Sequence, residues 1–378
     1  MPREDDPPKS ADGSRFARVR RMLFGHPKVP AYARSTRQRF AAFVGGAWDI
    51  GAFAYLALAF LVAASRRVGG VAPIVLQPLQ AAFPFVVLPA VIVGAVALIS
   101  RRGLEFVLAA ALLGIGWFAV QPARVRRPLD VGTESVSWTI LQANVLFSNR
   151  TPDRVAATIK ARDTDVVAIE ELTPTISTAL DLAGVFEVYP YRQLVVSATA
   201  RGSGLLSKYP FSDVAPTAPG APPEVVIDRP GSVPLRVIVM HPSPPIKSED
   251  ADVWTSNLAG LARRVHTDTG PTVAIGDFNG TRWQPAFGAV LGAGARDSHE
   301  ALGRGLSFSW PTRGPVPPFV RLDHALSWNG VVPTSLKEVD LPGSDHRGFV
   351  VTLAVPASID GLRTPIPVPG GGDTPNGG

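Results

Sequence analysis

Hydrophobic and polar positions divide the chain into two parts of different character. The first third carries three long apolar runs, and the remainder alternates short β-branched runs with polar turns. The short runs, which are typical of buried strands, cover Trp138–Gln142, Asp165–Ile169, Gly204–Ser207, Leu235–Met240, Thr272–Ile275 and Phe349–Leu353. Helical signals lie between them, such as the cap and early proline at Thr151–Asp153 and the single apolar face from Trp254 to Val265. This alternation predicts an α/β or α+β domain.

The three long runs are suited to a lipid environment. Ala41–Ala64 is apolar except for Asp49, Ala81–Ile99 carries two prolines, and Phe106–Val120 has Trp117 near one end. A run of about 20 apolar residues can cross a bilayer, and spans tolerate proline better than soluble helices do. The alternative is a buried soluble helical domain, but these runs leave no polar faces. We predict a transmembrane module over residues 41–121, with about three spans near 41–64, 78–100 and 104–121.

Basic residues beside the spans predict the orientation. Ten Lys or Arg residues precede Ala41, so residues 1–40 are expected to form a basic cytoplasmic tail. Three crossings then place the following domain outside the cytoplasm, as part of a multi-pass protein of the cell membrane. Arg101 and Arg102 agree with this orientation, whereas the pair Arg66–Arg67 and the cluster at 124–127 oppose it. If the short third run does not cross, the domain faces the cytoplasm instead.

Composition limits the remaining assignments. The formal net charge of +6 is concentrated in the tail and the span flanks, so it does not indicate a nucleic-acid surface. The chain has no cysteine, which is compatible with either side of a membrane. We predict a polar linker at 122–135, a catalytic domain at 136–356 and a disordered Pro- and Gly-rich tail at 357–378.

Four acidic signatures follow one another in the second part of the chain. The first ends at Glu171, and the other three cover Gly276–Asn279, Leu322–His324 and Ser344–His346. Each one alone has a structural explanation as a turn, cap or solvated edge. Each also lies at the end of an apolar run or in the turn before one, where a side chain can leave the core at the rim of a cleft. Their joint occurrence in one order indicates a metal-dependent phosphoesterase.

These signatures resemble, in order and spacing, those of the endonuclease/exonuclease/phosphatase superfamily. The resemblance covers about Val136–Pro356 and includes the strand that ends at Asn144 and the strand before His241. Glu170 stands where the family usually has Gln, and Val239 stands where it has Asn. The resemblance implies a DNase I-like four-layer sandwich, in which two packed β-sheets are flanked by helices, and it is closest to membrane-anchored bacterial members.

The resemblance also implies a metal site. Glu171 would be the carboxylate ligand, with Asn144 and Asp345 contributing to the same or a second ion. Oxygen ligands suit Mg²⁺ or Mn²⁺. Zinc is disfavoured because the chain lacks cysteine and a His-Glu-x-x-His sequence.

Five further residues are expected, by the same resemblance, to carry the reaction. Asp277 would hold or deprotonate the attacking water, and Asn279 would bind a phosphate oxygen. His346 and His241 would donate to the phosphoryl group, and Asp323 would fix the tautomer and charge of His346.

The predicted function is hydrolysis of lipid-linked or other small phosphate esters by a membrane-anchored enzyme. Nucleic acid is a possible but less favoured partner, since a surface nuclease needs a basic, aromatic groove. Its candidates are Arg192, Lys208, Arg282 and Trp283. The third alternative is a binding module without catalysis.

Overall fold

The computed structural model describes residues 35–68, 73–126, 131, 134–213 and 221–358. They form two compact units, one within Met1–Arg67 and Phe83–Val120 and the other within Val68–Ala82 and Gln121–Gly378. Most of the predicted basic tail, part of the predicted linker and the Pro- and Gly-rich tail from residue 359 lie outside the described residues.

Helices make up the described chain before the first strand. They are α1 (Thr36–Ser65), α2 (Gln77–Ala81), α3 (Phe83–Val87), α4 (Ala90–Ile99) and α5 (Gly103–Arg124), with a 3₁₀ turn at Ile74–Leu76. Helices α1 and α5 are long and apolar enough to cross a membrane. A bent pair, Ile74–Ala81 with Phe83–Ile99, makes a third candidate if its two arms, which meet at 88°, form one span. The described chain therefore has two or three helices suited to a bilayer.

Polar side chains within the first unit are paired. Asp49 of α1 forms an ion pair with Arg102, and the indole nitrogen of Trp48 donates to Glu105 at 3.2 Å. The hydroxyl of Tyr55 donates to the carbonyl of Val86 at 2.9 Å. Ionisable groups in apolar helices are costly unless they are paired, so the Arg102 contact accounts for the single charge in the first apolar run.

Twelve strands and six helices are found in the described residues from Ser135 onward. The strands are β1 (Ser135–Asn144), β2 (Val166–Glu170), β3 (Tyr191–Val195), β4 (Ser203–Ser207), β5 (Phe211–Asp213), β6 (Glu224–Ile227), β7 (Leu235–Met240), β8 (Thr272–Asp277), β9 (Arg296–Asp297), β10 (Asp323–Trp328), β11 (Val332–Asp340) and β12 (Arg347–Pro356). The helices are α6 (Pro152–Arg162), α7 (Pro174–Leu182), α8 (Val185–Val188), α9 (Ser248–Thr267), α10 (Pro285–Gly292) and α11 (Ser298–Ala301).

The strands form two mixed sheets of six strands each. Their orders are β11-β12-β1-β2-β4-β3 and β5-β6-β7-β8-β10-β9. The β1–β2 and β7–β8 pairs are parallel, and each is joined through a helix, as a parallel connection requires. The other strand pairs are antiparallel.

Apolar side chains pack the domain into four layers. Trp138 and Ile140 of the first sheet lie in one buried cluster with Val237 and Ile275 of the second. A second cluster packs α6, α7 and α8 on the outer face of the first sheet, and a third packs α9 and α10 on the second sheet. The predicted fold, two packed sheets flanked by helices with apolar helices before them, is confirmed.

Candidate active site

Strand register brings the ends of four strands together at one edge of the two sheets. Asn144, the last residue of β1, lies opposite Glu170, the last residue of the parallel strand β2. Asp277, the last residue of β8, lies opposite Asp323, the first residue of the antiparallel strand β10. Glu171 follows β2 directly and has a left-handed φ of 63°. The polar residues of different signatures thus meet because the sheets pack with these strand ends side by side.

Asn144 joins two of the carboxylates. Its Nδ2 lies 3.0 Å from Oδ2 of Asp277 and 3.3 Å from Oε1 of Glu171. The amide oxygen accepts the Leu146 N–H at 3.1 Å, so the amide nitrogen faces the acids. Oε2 of Glu171 accepts the Phe147 N–H at 2.8 Å. Asn144 and Asp277 are almost fully buried, whereas Glu171 is 9% exposed and is the more accessible acid.

His346 and Asp323 form the other side of the site. Nδ1 of His346 lies 2.8 Å from Oδ2 of Asp323, and the His346 N–H donates to the hydroxyl of Ser344 at 3.0 Å. Nε2 of the same imidazole lies 3.7 Å from Oδ2 of Asp277. His346 therefore has one ring nitrogen held by Asp323 and the other directed toward the acid of β8.

Charges at these groups favour a protonated imidazole. Burial lowers the pKa of His346, but the carboxylates of Asp323 and Asp277 outweigh it and raise the pKa to about 10. Burial raises the pKa of Asp323, but the charge and hydrogen bond of His346 outweigh it, so this pKa lies below its usual value. Burial raises the pKa of Asp277, which the charge of His346 offsets only in part. His346 thus carries a proton and Asp323 carries the matching negative charge.

His241 and Asn279 complete the predicted catalytic set. Nε2 of His241 lies 3.8 Å from Oδ2 of Asp277 and 3.9 Å from Oε1 of Glu171. The Asn279 N–H donates to Oδ1 of Asp277 at 2.8 Å, and its Nδ2 donates to the Pro242 carbonyl at 3.0 Å. Asn279 therefore ties the turn after β8 to the residue that follows His241.

Asp345 is the predicted ligand that stands apart. Its Oδ2 accepts the indole N–H of Trp310 at 3.2 Å, and its Oδ1 is buried without a hydrogen-bond partner among the described residues. Its side-chain hydrogen bonds within the described chain do not reach Asn144 or Glu171. An orphaned buried carboxylate oxygen is costly, and a cation is one way to satisfy it.

Two buried polar residues behind the site were not predicted to have a role. Glu170 is fully buried, rather than solvated at an edge, and its Oε2 accepts from Nε2 of Gln142 at 2.8 Å. The same nitrogen donates to Oδ1 of Asp323 at 2.7 Å. The one signal for Gln142 in the sequence is a polar residue at an inward position of an apolar strand.

A buried ionic cluster lies next to the site and was also missed. Asp297 contacts Nη1 of Arg321 at 2.8 Å and Nδ1 of His324 at 2.6 Å. Nε2 of His324 lies 3.0 Å from the carbonyl of Gly280, so the cluster fastens the turn after β8 to β10. His299 is also buried here, with its ring against Phe349.

The fold and the site together define an α/β protein with carboxylates, an amide and imidazoles gathered at one edge of two packed mixed sheets. Residues 141–346 match the model of the Endonuclease/Exonuclease/phosphatase family. The match covers more than half of the 378 residues, and the chain belongs to this family. Members of the family hydrolyse phosphate esters. No curated protein matches the chain.

Several solved structures are similar to this one. A humanized TDP2 of D. rerio has 17% identity and a TM-score of 0.47, over 57% of this chain and 98% of that one. An endonuclease/exonuclease/phosphatase from Beutenbergia cavernae has 18% identity and a TM-score of 0.45, over 58% and 72%. Sphingomyelinase C from Streptomyces griseocarneus has 19% identity and a TM-score of 0.41, over 57% and 99%.

Proposed function

We propose that the chain is a membrane-anchored, divalent-metal-dependent phosphoesterase that hydrolyses lipid-linked or other small phosphate esters at the cell surface. One observation carries the proposal: Asp277 lies within 4 Å of the imidazoles of both His241 and His346 and is bonded to Asn144. A carboxylate that can take a proton from water and two imidazoles that can donate to phosphate oxygens thus lie around one position. Phosphate esters resist attack because their oxygens repel the nucleophile, and such a constellation counters that repulsion.

The side chains divide the chemistry between them. Asp277 accepts a proton from the attacking water at Oδ2, the oxygen that faces both imidazoles and also accepts from Asn144, while the Asn279 N–H holds Oδ1. His346 donates from Nε2 to the phosphoryl group, because Asp323 occupies its Nδ1 and keeps it charged. His241 donates from its Nε2, which lies 3.8 Å from the same Oδ2 of Asp277.

The oxygen-rich side of the site fits Mg²⁺ or Mn²⁺, with Glu171 as the first carboxylate that would hold it and with Asn144 and Asp345 as ligands of the same or a second ion. Bound there, the ion would neutralise charge on the phosphate. The accessible carboxylate of Glu171 and the unpartnered Oδ1 of Asp345 are hard donors. Asn144 turns its nitrogen toward Glu171 and Asp277, so a role as oxygen ligand requires its amide to rotate. Rotation of the Asn144 amide would bring its oxygen close to the carboxylates of Glu171 and Asp277, and this arrangement is favourable only when a cation lies between them.

A second group of possible ligands, Asp277, Asp323 and His346, brings its ligand atoms within 4.8 Å of one another. These three residues are better suited to hold a protonated imidazole at His346 than to bind a metal ion. The imidazole already uses Nδ1 for Asp323, and the two acids stabilise its protonated form. A protonated imidazole cannot bind a metal ion, so we assign the metal to the side of Glu171.

Exposed apolar side chains on the loops around the site favour an amphiphilic substrate. Three of these loops are tied to site residues or follow them directly. The backbone N–H of Phe147 donates to Glu171, and the backbone N–H of Ser197, next to Val196, donates to the carbonyl of Leu172, the residue after Glu171. Ile246 lies in the segment that follows His241. The exposed apolar residues on these loops and on the loop after Trp310 are Phe147, Val196, Ile246 and Val316. The same loops carry the exposed basic residues Arg150, Arg201, Lys247 and Arg313. Apolar and basic side chains together suit a lipid-linked phosphate.

A cavity next to the imidazole offers room for part of such a substrate. It has a volume of about 410 Å³, and its lining includes His346, Thr312 and Arg313. The Thr312 N–H donates to the carbonyl of Asp345 at 2.8 Å, which ties this wall of the cavity to the site. Arg313 forms no ion pair among the described residues and is available to an anionic group.

The candidates for a nucleic-acid groove are engaged elsewhere, which disfavours a nuclease. Trp283 is only 5% exposed, and Arg282 pairs with Glu300. Lys208 pairs with Asp163, and Arg192 lies over the ring of Phe186. A strand-binding groove needs exposed aromatic faces and unpaired cations.

Anchoring and sidedness rest on the apolar helices and the flanking charges. The proposal takes the bent pair as one span, so that three crossings after a basic tail would put the catalytic domain outside the cytoplasm. A reporter fused after Arg127 tests this: activity on the extracytoplasmic side supports the arrangement. Activity in the cytoplasm removes one crossing and brings intracellular esters within reach.

The decisive experiment on function uses the full chain in lipid nanodiscs. Turnover is measured with Mg²⁺ and with a chelator, on lipid diphosphates, sphingomyelin, inositol phosphates and DNA. The proposal expects metal-dependent turnover of a lipid-linked or small ester. Turnover of DNA alone would make the protein a nuclease, and turnover of none of these substrates, despite metal binding, would make it a binding module.

A further inference from the structure

We infer that Gln142 is a positioning residue that holds Asp323, and through it His346, in the orientation that the reaction needs. This inference rests on the proposed function of the same site. Gln142 touches neither Asp277 nor His346 in its described hydrogen bonds. Its action is therefore indirect.

Gln142 bridges the two sheets at the buried end of the site. It lies on β1, is fully buried and is flanked in register by Phe349 and Ala168. Its single amide nitrogen donates to Oε2 of Glu170 at 2.8 Å and to Oδ1 of Asp323 at 2.7 Å. Glu170 belongs to the first sheet and Asp323 to the second, so both amide hydrogens are used, one on each sheet.

The neighbours of Gln142 determine which amide atom faces them. Oxygen and nitrogen of an amide are distinguished by their hydrogen-bond partners. Burial and the charges of Asp323 and Asp277 hold the pKa of Glu170 well above its usual value, whereas the pKa of Asp323 lies below its usual value, so Oδ1 of Asp323 is the partner that must accept. The reversed amide would place its oxygen 2.7 Å from this acceptor, so Gln142 donates to Asp323 and, with its second hydrogen, to Oε2 of Glu170.

This donor fixes the rotation of the Asp323 carboxylate. Oδ1 is held by Gln142 at 2.7 Å, which leaves Oδ2 for Nδ1 of His346 at 2.8 Å. Without the amide, Oδ1 of Asp323 would be buried without its hydrogen-bond donor. The carboxylate could then rotate so that both of its oxygens compete for the remaining donors. The imidazole would then lose its fixed direction toward Asp277.

The arrangement is costly for stability, which points to a role beyond packing. Oε1 of Gln142 and Oε1 of Glu170 are buried without hydrogen-bond partners among the described residues. An apolar residue at position 142 would fill the same inward position of β1 without that cost. The two hydrogen bonds that the amide donates explain why a polar residue stands at position 142, and one of them reaches Asp323 of the catalytic pair.

Three variants of the full chain in nanodiscs test the inference. Gln142→Met keeps the size and removes the donor, and Gln142→Glu keeps the size and, protonated between the two buried acids, donates one hydrogen where the amide donates two. Gln193→Met is the matched control, since Gln193 lies on the edge strand β3 of the same sheet. The readouts are kcat and KM on the ester found active for the wild type, and the Nδ1 proton signal of His346 in ¹⁵N-histidine-labelled protein.

We expect Gln142→Met to lower kcat about 10- to 100-fold with KM within about twofold, as loss of a group that orients a catalytic residue does. Gln142→Glu should lose less kcat than Gln142→Met, because its one O–H can still donate to Oδ1 of Asp323. The His346 Nδ1 proton signal should shift or broaden in both variants and stay unchanged in the control. Combined with Asp323→Asn, Gln142→Met should add little.

Wild-type kcat and an unmoved His346 signal in Gln142→Met would overturn the inference. A loss by Gln142→Met equal to that of Gln193→Met would also overturn it, because the loss would then be a general effect of replacing a glutamine in this sheet. If Gln142→Met does not fold, Gln142→Glu decides by the same signal. The signal needs no substrate, so a wild type without turnover but with a Gln142-dependent His346 resonance would contradict the proposed function and leave the positioning role intact.

Discussion

His346 and Asp323 form one hydrogen-bonded pair, with Nδ1 of the imidazole 2.8 Å from Oδ2 of the carboxylate. The pair spans the two sheets, because Asp323 begins β10 and His346 directly precedes β12. Both side chains are buried, so the ion pair is weakly screened by solvent. A charged donor held in this way suits a developing negative charge on a phosphoryl group.

Removal of the imidazole should abolish most of the activity. We expect His346→Ala to lower turnover by about two to four orders of magnitude, as loss of a central acid–base or electrostatic group does. Asp323→Asn should cost less, and the double variant should be hardly worse than His346→Ala alone, since the two groups act as a unit. The measurement is kcat for the three variants. Additive losses would mean that the two residues act independently.

The two adjacent acids after β2 should differ in their effect on the metal requirement. Glu171→Gln should raise the Mg²⁺ concentration needed for half-maximal activity far more than Glu170→Gln, because Glu171 is accessible and Glu170 is fully buried. Titration of activity with Mg²⁺ compares them. The reverse order would assign the ligand to Glu170.

Gly276 should tolerate no side chain. Its φ is 147°, and a Cβ there would lie 2.1 Å from the Met240 carbonyl oxygen. We expect Gly276→Ala to destabilise the fold by more than about 2 kcal/mol, from steric overlap and backbone strain, and to displace Asp277. Gly292→Ala is the control, since a Cβ at the end of α10 meets nothing within 4 Å. Similar thermal melting of the two variants would contradict this account.

The buried acid of the ionic cluster should stabilise the fold in a pH-dependent way. Burial raises the pKa of Asp297, but the charges of Arg321 and His324 outweigh it and hold the pKa well below its usual value. A depressed pKa contributes stability above the unfolded value of about 3.9, and this stability is lost as the pH falls toward the folded value. Asp297→Asn should therefore cost about 3–5 kcal/mol near neutral pH, with a deficit that is constant down to about pH 5 and shrinks below it.

Melting temperatures between pH 4 and pH 8 check this prediction. The control is Asp340→Asn, because Asp340 is highly exposed and pairs with Arg347 at the surface. Such surface pairs contribute less than about 1 kcal/mol. If the loss of stability caused by Asp297→Asn grew as the pH fell, the predicted pH dependence would have the wrong sign.

Local patterns were sufficient to predict an α/β or α+β domain and the position of several site residues, and the family resemblance added the two packed sheets. Apolar β-branched runs end at Asn144 and Asp277, and strand ends at one sheet edge deliver polar side chains to one place. The site assignments of Asp277, His346 and Glu171 stay predictions until variants are measured. What the patterns contained was the location of these residues at or beside the ends of apolar runs.

Long-range pairing was not contained in those patterns. Gln142 and Asp323 lie 181 positions apart along the chain, and no local signal indicates that a buried amide meets a distant acid. Trp283 was a candidate for a nucleic-acid groove, yet it is 5% exposed, because composition alone does not tell a surface aromatic from a core one. The second apolar run contains a sharp bend at 88°, which hydropathy does not detect.

The most direct test of the account is metal-dependent release of product by the full chain and by Asp277→Asn. The account predicts hydrolysis of a lipid-linked or small phosphate ester that requires Mg²⁺ or Mn²⁺, stops on chelation and falls by at least about two orders of magnitude in Asp277→Asn, which lacks the acid that receives the proton. Chelator-resistant hydrolysis, or wild-type turnover by Asp277→Asn, would contradict it.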